Sequence, residues 1–139
     1  GGFYPVSAVL ADDEVLGLFK PGDHGSTFGG NPLGSAIART ALKVLIDEGL
    51  VERSAELGDY FLGRLQRIES DYVKEVRGRG LFIGVELNVP ARRFAEALYQ
   101  RGILAKETHD YVLRFAPPLV ITREEIDWAL ERIEEVLTS

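Results

Sequence analysis

The sequence predicts a mixed α/β chain in which the residues from about 50 onward form an α+β layer, with helices on a small, mostly antiparallel sheet. Two observations lead to this prediction. Helical and strand-like patterns are interleaved along the chain, and the strand-like runs of the second half come in neighbouring pairs, as in hairpins, instead of alternating with helices. The first third of the chain looks like the end of a separate unit.

Composition limits the kind of protein this can be. The chain has 139 residues, of which 45% are hydrophobic, and a formal net charge of −6. A chain near this length buries roughly 68–70% of its unfolded surface, enough for one core. The acidic balance argues against a nucleic-acid partner. The absence of Cys and of any membrane-length apolar run predicts a cytoplasmic protein without a membrane partner, and the absence of Met predicts a trimmed chain or a segment of a longer one.

The first fifty residues are predicted to contain a strand, a long loop and a helix. Residues 6–11 form a short apolar run that predicts a buried strand ending in a turn. The many Gly and Pro residues between 19 and 34 predict a loop. Asn31 followed by Pro32 is typical of a helix N-terminus, and the apolar spacing that follows predicts a helix over residues 32–48.

A second helix and a hairpin are predicted next. Charged residues cover one side of the helix, and apolar residues recur on the other at Leu57, Phe61, Leu65 and Ile68. The period then changes to that of strands. Residues 73–76 and 81–87 are strand-like and flank an Arg-Gly-Arg-Gly sequence at 77–80, which predicts a hairpin with its turn at those four residues.

The last third is predicted to contain two helices and two short strands. The first helix begins at Pro90 and is stopped by Gly102, which lies just past its last periodic residue. Residues 103–105 and 111–116 are strand-like, and two prolines end the second run. Residues 122–125 have the pattern of a capping box. The closing helix that follows carries an apolar stripe at Ile126, Leu130, Ile133 and Leu137.

A loop rich in hydroxyl groups and glycine is one candidate site. Residues 24–32 combine Ser26 and Thr27 with several Gly amides and a helix N-terminus, which are the parts of a phosphate or carboxylate site. The same composition also suits a tight connection capped by Asn31, and neither the Walker nor the dinucleotide pattern is present. From the residues alone, both interpretations stay open.

Arg114 is the second candidate, because a guanidinium can hold a carboxylate through two parallel hydrogen bonds. Strand alternation also allows it to face solvent without a ligand. Arg77 and Arg79 are predicted to be solvated in the hairpin turn. His24 and His109 lack the spacing of a metal site and are predicted to lie in loops, so no metal is expected. No nucleophile with a base can be assembled from the residues.

Four motifs occur in order along the chain, at residues 1–8 (GGFYPVSA), 25–33 (GSTFGGNPL), 76–81 (VRGRGL) and 113–119 (LRFAPPL). Together they strongly resemble the class III pyridoxal-phosphate-dependent aminotransferases. Within that class, residues 102–109 (GILAKETH) are most similar to the ornithine aminotransferase branch. Four motifs in the right order are much more specific than any one of them.

The resemblance implies the C-terminal part of a fold type I enzyme that uses pyridoxal 5′-phosphate. Residues 1–31 would end the large cofactor-binding domain, residues 32–49 would be the connecting helix, and residues 50–139 would be the small C-terminal domain. The Schiff-base lysine of the family would lie upstream of residue 1. The resemblance therefore places no catalytic residue in this chain, which would be inactive alone.

Two site residues follow from the resemblance. Thr27, with Ser26 beside it, matches the position that contacts the cofactor phosphate from the neighbouring subunit, which implies a homodimer or a higher homo-oligomer. Arg114 matches the arginine that binds the α-carboxylate of glutamate or 2-oxoglutarate. The implied reaction transfers the δ-amino group of ornithine to 2-oxoglutarate and yields glutamate semialdehyde and glutamate.

Two other functions stay open on the sequence alone. An acetylornithine or 4-aminobutyrate aminotransferase belongs to the same class. A stand-alone α+β ligand-binding or interaction domain that shares ancestry with the small domain is the alternative from another class. The missing lysine favours that domain for the chain in isolation, whereas Ser26, Thr27 and Arg114 favour part of an enzyme.

Overall fold

A computed structural model of the chain describes residues 2–139 and contains two units, Gly1–Gly49 and Leu50–Ser139. Unit 1 has a single helical turn, α1 (Asp13–Leu16), and one long helix, α2 (Pro32–Asp47). Unit 2 contains the other elements, which are α3 (Leu50–Leu65), β1 (Val73–Arg79), β2 (Phe82–Leu87), α4 (Arg92–Tyr99), β3 (Lys106–Thr108), β4 (Val112–Phe115) and α5 (Arg123–Leu137).

Helix α2 begins where the sequence predicts. The backbone of Asn31 is extended, and its side-chain Oδ1 accepts a hydrogen bond from the Gly34 amide at 2.8 Å. Pro32 occupies the first helical position, where an N–H group would have no partner within the helix. The helix ends just before Gly49, which takes a positive φ of 60°. The predicted helix and its cap are therefore confirmed.

The strand predicted over residues 6–11 is wrong. These residues form neither helix nor strand, and Val9 and Leu10 are 80% and 89% exposed. A strand needs a neighbouring backbone to donate and accept its hydrogen bonds, and residues 2–49 contain no other strand. The apolar run by itself could not supply that partner. Helix α1 follows directly, where only a turn was predicted.

Unit 2 confirms the prediction of helices on a small antiparallel sheet. The strand order is β1-β2-β4-β3, and every neighbouring pair is antiparallel. Alternate residues of β2 and β4 turn toward the helices and are buried, namely Ile83, Val85, Leu87, Leu113 and Phe115. The core of unit 2 lies between this face and the three helices.

Helix α5 closes the core as predicted. Thr122 accepts a hydrogen bond from the Glu125 amide at 3.2 Å, and the Glu125 carboxylate accepts one from the Thr122 amide at 2.8 Å, which completes the capping box. The four residues of its predicted apolar stripe are all buried, at Ile126, Leu130, Ile133 and Leu137. Helix α4 contributes Phe94 and Leu98, although it begins at Arg92 and not at Pro90.

The boundaries of both hairpins differ from the predictions. Strand β1 continues through Arg79, which pairs with Phe82, so the turn contains only Gly80 and Leu81 instead of residues 77–80. Gly78 can remain in the ladder opposite Ile83, and the positive φ of Gly80, 54°, suits a tight two-residue turn. Of the two glycines in the predicted four-residue turn, only Gly80 lies in the turn, and Gly78 belongs to the strand.

Residues 103–105 are not a strand, contrary to the prediction. The amide of Ile103 donates to the carbonyl of Leu98 at 3.0 Å and so closes the end of α4. A group used there cannot also pair with a neighbouring strand. Strand β3 therefore begins at Lys106, one residue after the predicted run, while β4 lies inside its predicted range.

Helix α3 approaches the first hairpin at two glycines. A Cβ atom added to Gly58 would lie 2.2 Å from the carbonyl carbon of Gly80 and 2.3 Å from its oxygen. The hydroxyl of Ser54, one turn earlier on α3, accepts a hydrogen bond from the Leu81 amide at 3.2 Å. Helix and turn are thus in direct backbone contact, which no larger residue at position 58 would permit.

We expect Gly58→Ala to destabilise the protein by about 3 kcal/mol or more, because backbone on the sheet side must move to admit the methyl group. Gly63→Ala on the same helix is the matched control, since a Cβ there meets nothing within 4 Å. Alanine in a helix interior should instead stabilise by about 0.5–1 kcal/mol. Urea unfolding of both variants measures the difference, and equal midpoints would contradict the contact's importance.

Candidate functional site

The hydroxyl-rich loop of unit 1 is closed by its own hydrogen bonds. Ser26 Oγ accepts a hydrogen bond from the Gly29 amide at 2.9 Å, and Asn31 Nδ2 donates to the Phe28 carbonyl at 2.8 Å. Ser26 and Thr27 are both exposed, and within residues 2–139 the Thr27 hydroxyl makes no hydrogen bond. The loop therefore has the cap that a tight connection needs and still presents free hydroxyl donors.

A cavity of about 930 Å³ lies beside this loop within unit 1. It is lined by residues 4–7, by residues 28–31 and by the first turn of α2, including Gly34 and Ser35. Gly34 lets the Tyr4 ring lie close against the first turn of α2, because a Cβ atom at position 34 would be only 3.1 Å from Tyr4 Cε1. Hydroxyl groups and a helix N-terminus are donors that suit a phosphate group.

Arg114 lies in unit 2 on the face of the sheet that carries no helices. The register joins four residues in one row across the strands, namely Arg77, Gly84, Arg114 and Lys106. The neighbouring row joins Glu75, Glu86, Val112 and Thr108. Three cations thus share one row of an open face, with a glycine between two of them. We call this surface the open face of the sheet.

The side chain of Arg114 is exposed, and within the described residues it has no carboxylate within 4 Å. Leu113 and Phe115 on either side of it are buried in the core, as strand alternation predicts. The guanidinium carbon lies 5.8 Å from the centre of the Phe82 ring. Arg114 is therefore a cation on a rigid strand that remains free to bind an anionic ligand.

The part of the open face formed by β1 and β2 carries ion pairs that the sequence patterns did not reveal. Glu86 accepts a hydrogen bond from Lys74 Nζ at 2.6 Å and one from Arg77 Nη1 at 2.6 Å. Arg77 also bonds Glu75 at 2.9 Å. These hydrogen bonds, with Lys74 the larger influence, lower the pKa of Glu86 and raise the pKa of Lys74.

The prediction for Arg77 and Arg79 needs correction. Both lie in strand β1 and not in a turn, and Arg77 is held by two carboxylates instead of being simply solvated. The alternation of residues 82, 84 and 86 could have shown that Glu86 lies on the face opposite the core. Its cationic partners follow from the register between two strands, which no local pattern contains.

At the edge of the sheet Arg92 of α4 pairs with Glu107 of β3, with Nη1 2.7 Å from Oε1. This bond lowers the pKa of Glu107. His24 and His109 lie in a loop and a turn, as predicted. Among residues 2–139, no three His, Asp or Glu side chains come close enough together to hold a metal ion. None of the helices within the same residues combines the length and apolar character needed to cross a bilayer.

Comparison with known proteins decides the family. The sequence profile described as "Aminotransferase class-III" matches residues 1–137. The chain belongs to the class III aminotransferase family. The resemblance drawn from the four motifs is therefore confirmed.

Individual relatives agree with this assignment. An ornithine aminotransferase of Staphylococcus carnosus is 64% identical over 99% of this chain, which spans 35% of that protein. The solved ornithine delta-aminotransferase of Plasmodium falciparum is 42% identical, with a TM-score of 0.92 over 98% of this chain and 36% of that one. An acetylornithine aminotransferase of Elizabethkingia anophelis is 43% identical, with a TM-score of 0.88 over 98% of this chain and 37% of that one.

An ornithine aminotransferase of Toxoplasma gondii, described with partial occupancy of PLP at its active site, is 45% identical, with a TM-score of 0.82 over 89% of this chain and 30% of that one. These structural matches confirm the predicted fold class, that of the C-terminal part of a fold type I aminotransferase. The chain spans about a third of the length of the curated relatives it matches. Its family implies pyridoxal phosphate as the cofactor.

We expect Glu86→Gln to lower stability at neutral pH. Because the pKa of Glu86 lies below its ordinary value of 4.5 in the folded protein, its charged form stabilises the fold above that value, and the effect is lost as pH falls through the lowered pKa. The difference in urea midpoint between variant and wild type should therefore shrink below about pH 4.5.

Glu56→Gln on α3 is the control for this measurement, because Glu56 is exposed and has no ion pair within residues 2–139. Its midpoint should follow that of the wild type at every pH. A Glu86→Gln deficit that stays constant from pH 7 to pH 3 would contradict the assignment to the charged carboxylate.

Proposed function

We propose that this chain is the C-terminal third of a pyridoxal-phosphate-dependent ornithine aminotransferase. Residues 1–31 would end the cofactor-binding domain, 32–49 would be the connecting helix, and 50–139 the small domain. The observation that carries the proposal is an exposed Arg114 on the open face of the sheet, without an ion-pair partner among residues 2–139, in a chain 64% identical to an ornithine aminotransferase. The reaction would move the δ-amino group of ornithine to 2-oxoglutarate.

The role proposed for Arg114 follows from its surroundings. A guanidinium donates two parallel hydrogen bonds to a carboxylate, and each such charge-assisted bond contributes about 1.5–3 kcal/mol. The nearest acidic side chain in the register, Glu86, already bonds Lys74 and Arg77. Arg114 can therefore accept the α-carboxylate of 2-oxoglutarate or glutamate without first giving up a partner from the part of the chain that the structure describes.

The proposed cofactor role falls on Thr27 and Ser26. When bound, pyridoxal phosphate supplies the electron sink that amino-group transfer needs. The exposed Thr27 hydroxyl can donate to its phosphate, and Ser26 can donate its own proton while its oxygen still accepts from Gly29. In the proposal these groups serve the cofactor of the neighbouring subunit, so the enzyme would be a homodimer or a higher homo-oligomer. A cytoplasmic location is part of the proposal and rests on the cysteine-free sequence.

The choice of ornithine as amine donor rests on the curated relatives. The first eight of them are named ornithine aminotransferase and are 56–64% identical to this chain. The solved structures favour neither donor, because the acetylornithine enzyme and the Plasmodium falciparum ornithine enzyme are 43% and 42% identical. Acetylornithine therefore remains the second candidate. The proposal places no catalytic residue in these 139 residues, and we expect them to be inactive alone.

The amine donor can be tested directly in the full-length enzyme. Mixed without an acceptor, the correct donor should convert the bound cofactor to its pyridoxamine form, which changes the absorption spectrum. We expect ornithine to do this at least tenfold faster than acetylornithine or 4-aminobutyrate at equal concentration. Faster conversion by acetylornithine would replace the proposal with its second candidate.

Arg114→Ala in the full-length enzyme should weaken the half-reaction with 2-oxoglutarate by about 2–3 kcal/mol, roughly 30- to 150-fold in kcat/KM, because the carboxylate loses its charged partner. The half-reaction with ornithine should change much less. Single-turnover spectroscopy separates the two. Arg67→Ala is the control, since Arg67 is an exposed arginine outside the open face. Equal slowing of both half-reactions would refute the role.

Thr27→Val should weaken cofactor binding by about 1.5–3 kcal/mol, roughly 10- to 150-fold in Kd, because a hydrogen bond to a charged phosphate is lost. Thr40→Val is the matched control, because the one hydrogen bond of the Thr40 hydroxyl within residues 2–139 goes to the Ala36 carbonyl of its own helix. Absorbance of the enzyme dialysed against falling cofactor concentrations gives both values. Unchanged retention in Thr27→Val would remove Thr27 from the site.

A further inference from the structure

Phe82 is an aromatic residue that the core does not explain. It is the first residue of β2 and is 60% exposed, whereas Ile83, next to it, is completely buried. Strand alternation places Phe82 on the open face of the sheet together with Gly84 and Glu86. Among the described residues the ring takes no part in the hydrophobic core.

The register places the Phe82 ring beside Arg114. Gly84 lies directly opposite Arg114, and Phe82 lies two residues from Gly84 on the same face, which makes it a diagonal neighbour of Arg114. The guanidinium carbon of Arg114 lies 5.8 Å from the centre of the ring, within the range of a cation–π interaction.

Gly84 makes this approach possible. It carries no side chain at the point of the open face that lies directly across from Arg114. A Cβ atom at this position would already lie 3.3 Å from Val112 Cγ1, next to Arg114 on the open face. No side chain of Gly84 therefore stands directly across from Arg114, and its diagonal neighbours on β2 are Phe82 and Glu86.

A ring and a carboxylate would have different effects on Arg114. A carboxylate neighbour would orient the guanidinium but would also occupy its hydrogen-bond donors, as Glu86 does for Arg77 at 2.6 Å. An aromatic face attracts the cation and leaves its N–H groups free for a ligand. The acidic residues of the open face, Glu75 and Glu86, are both bonded to Arg77.

We infer that Phe82 is a positioning residue, which holds the Arg114 guanidinium in place for the carboxylate of the substrate without neutralising it. The inference rests on the proposed function of Arg114. It concerns only residues of unit 2. Phe82 touches no substrate in this scheme and acts through Arg114 alone.

The test uses glutarate, an unreactive dicarboxylate with the same carbon chain length as the oxo-acid acceptor, and the full-length enzyme. Phe82→Leu keeps an apolar side chain and removes the ring. We expect it to raise the Kd of glutarate and the KM of the oxo-acid acceptor about two- to fivefold, the equivalent of an exposed cation–π contact. The kcat and the half-reaction with ornithine should stay within about twofold of the wild type. Phe82→Tyr keeps the ring and should restore both constants.

Two further variants distinguish positioning from general damage. In an Arg114→Ala background, Phe82→Leu should have no additional effect on glutarate binding, because the group it positions is gone. Trp128→Leu on α5 is the matched control, since it also removes a partly exposed ring from beneath a guanidinium, that of Arg132 at 4.0 Å. It should leave glutarate binding unchanged.

Three results would contradict the inference about Phe82, and the variants distinguish them from one another. If Phe82→Leu binds glutarate as the wild type does while Arg114→Ala binds it weakly, the inference is wrong and the role of Arg114 stands. If Phe82→Leu weakens binding equally with and without Arg114, the ring does not act through Arg114 and the inference is also wrong. If Arg114→Ala binds glutarate as tightly as the wild type, the proposed function of Arg114 fails, and the inference fails with it.

Discussion

The backbone contact between Gly58 of α3 and Gly80 of the first hairpin is the constraint on which the arrangement of unit 2 depends. Helix α3 buries Leu57 and Phe61 in the core beside this contact. The contact therefore fixes how closely the helix packs against the sheet. Strand β2 begins two residues after Gly80. The place of that turn therefore decides which residues of β2 enter the core and which face outward, and with them the surroundings of Arg114.

The open face of the sheet separates charges that are already paired from one that is not. Glu75, Glu86, Lys74 and Arg77 form a connected set of ion pairs at β1 and β2. Such exposed pairs contribute little to stability, because solvent screens them. Their effect on ligand binding is more specific: they occupy the acidic groups nearest to Arg114. A carboxylate ligand that reaches this face then meets a cation without a competing partner among the described residues.

Local patterns predicted the features that depend on a few neighbouring residues. The cap at Asn31, the capping box at Thr122 and the apolar stripe of α5 were correct, because each forms within a few turns of a helix. The predicted strand over residues 6–11 was wrong because a strand requires a partner that can lie anywhere in the chain. The strand predicted just before Lys106 failed for a related reason, since Ile103 uses its amide at the end of α4.

The sequence by itself determined the class III aminotransferase family, the four long helices and the outward direction of Arg114, since motifs, caps and strand alternation are all local, whereas the single turn of α1 was missed. Only the tertiary structure decided what surrounds Arg114. Phe82 and Gly84 reach it through the register between β2 and β4, and Glu86 finds its cations through the register between β1 and β2. Those registers follow from how the strands pack beneath the helices, which is a property of the whole unit and of no single segment.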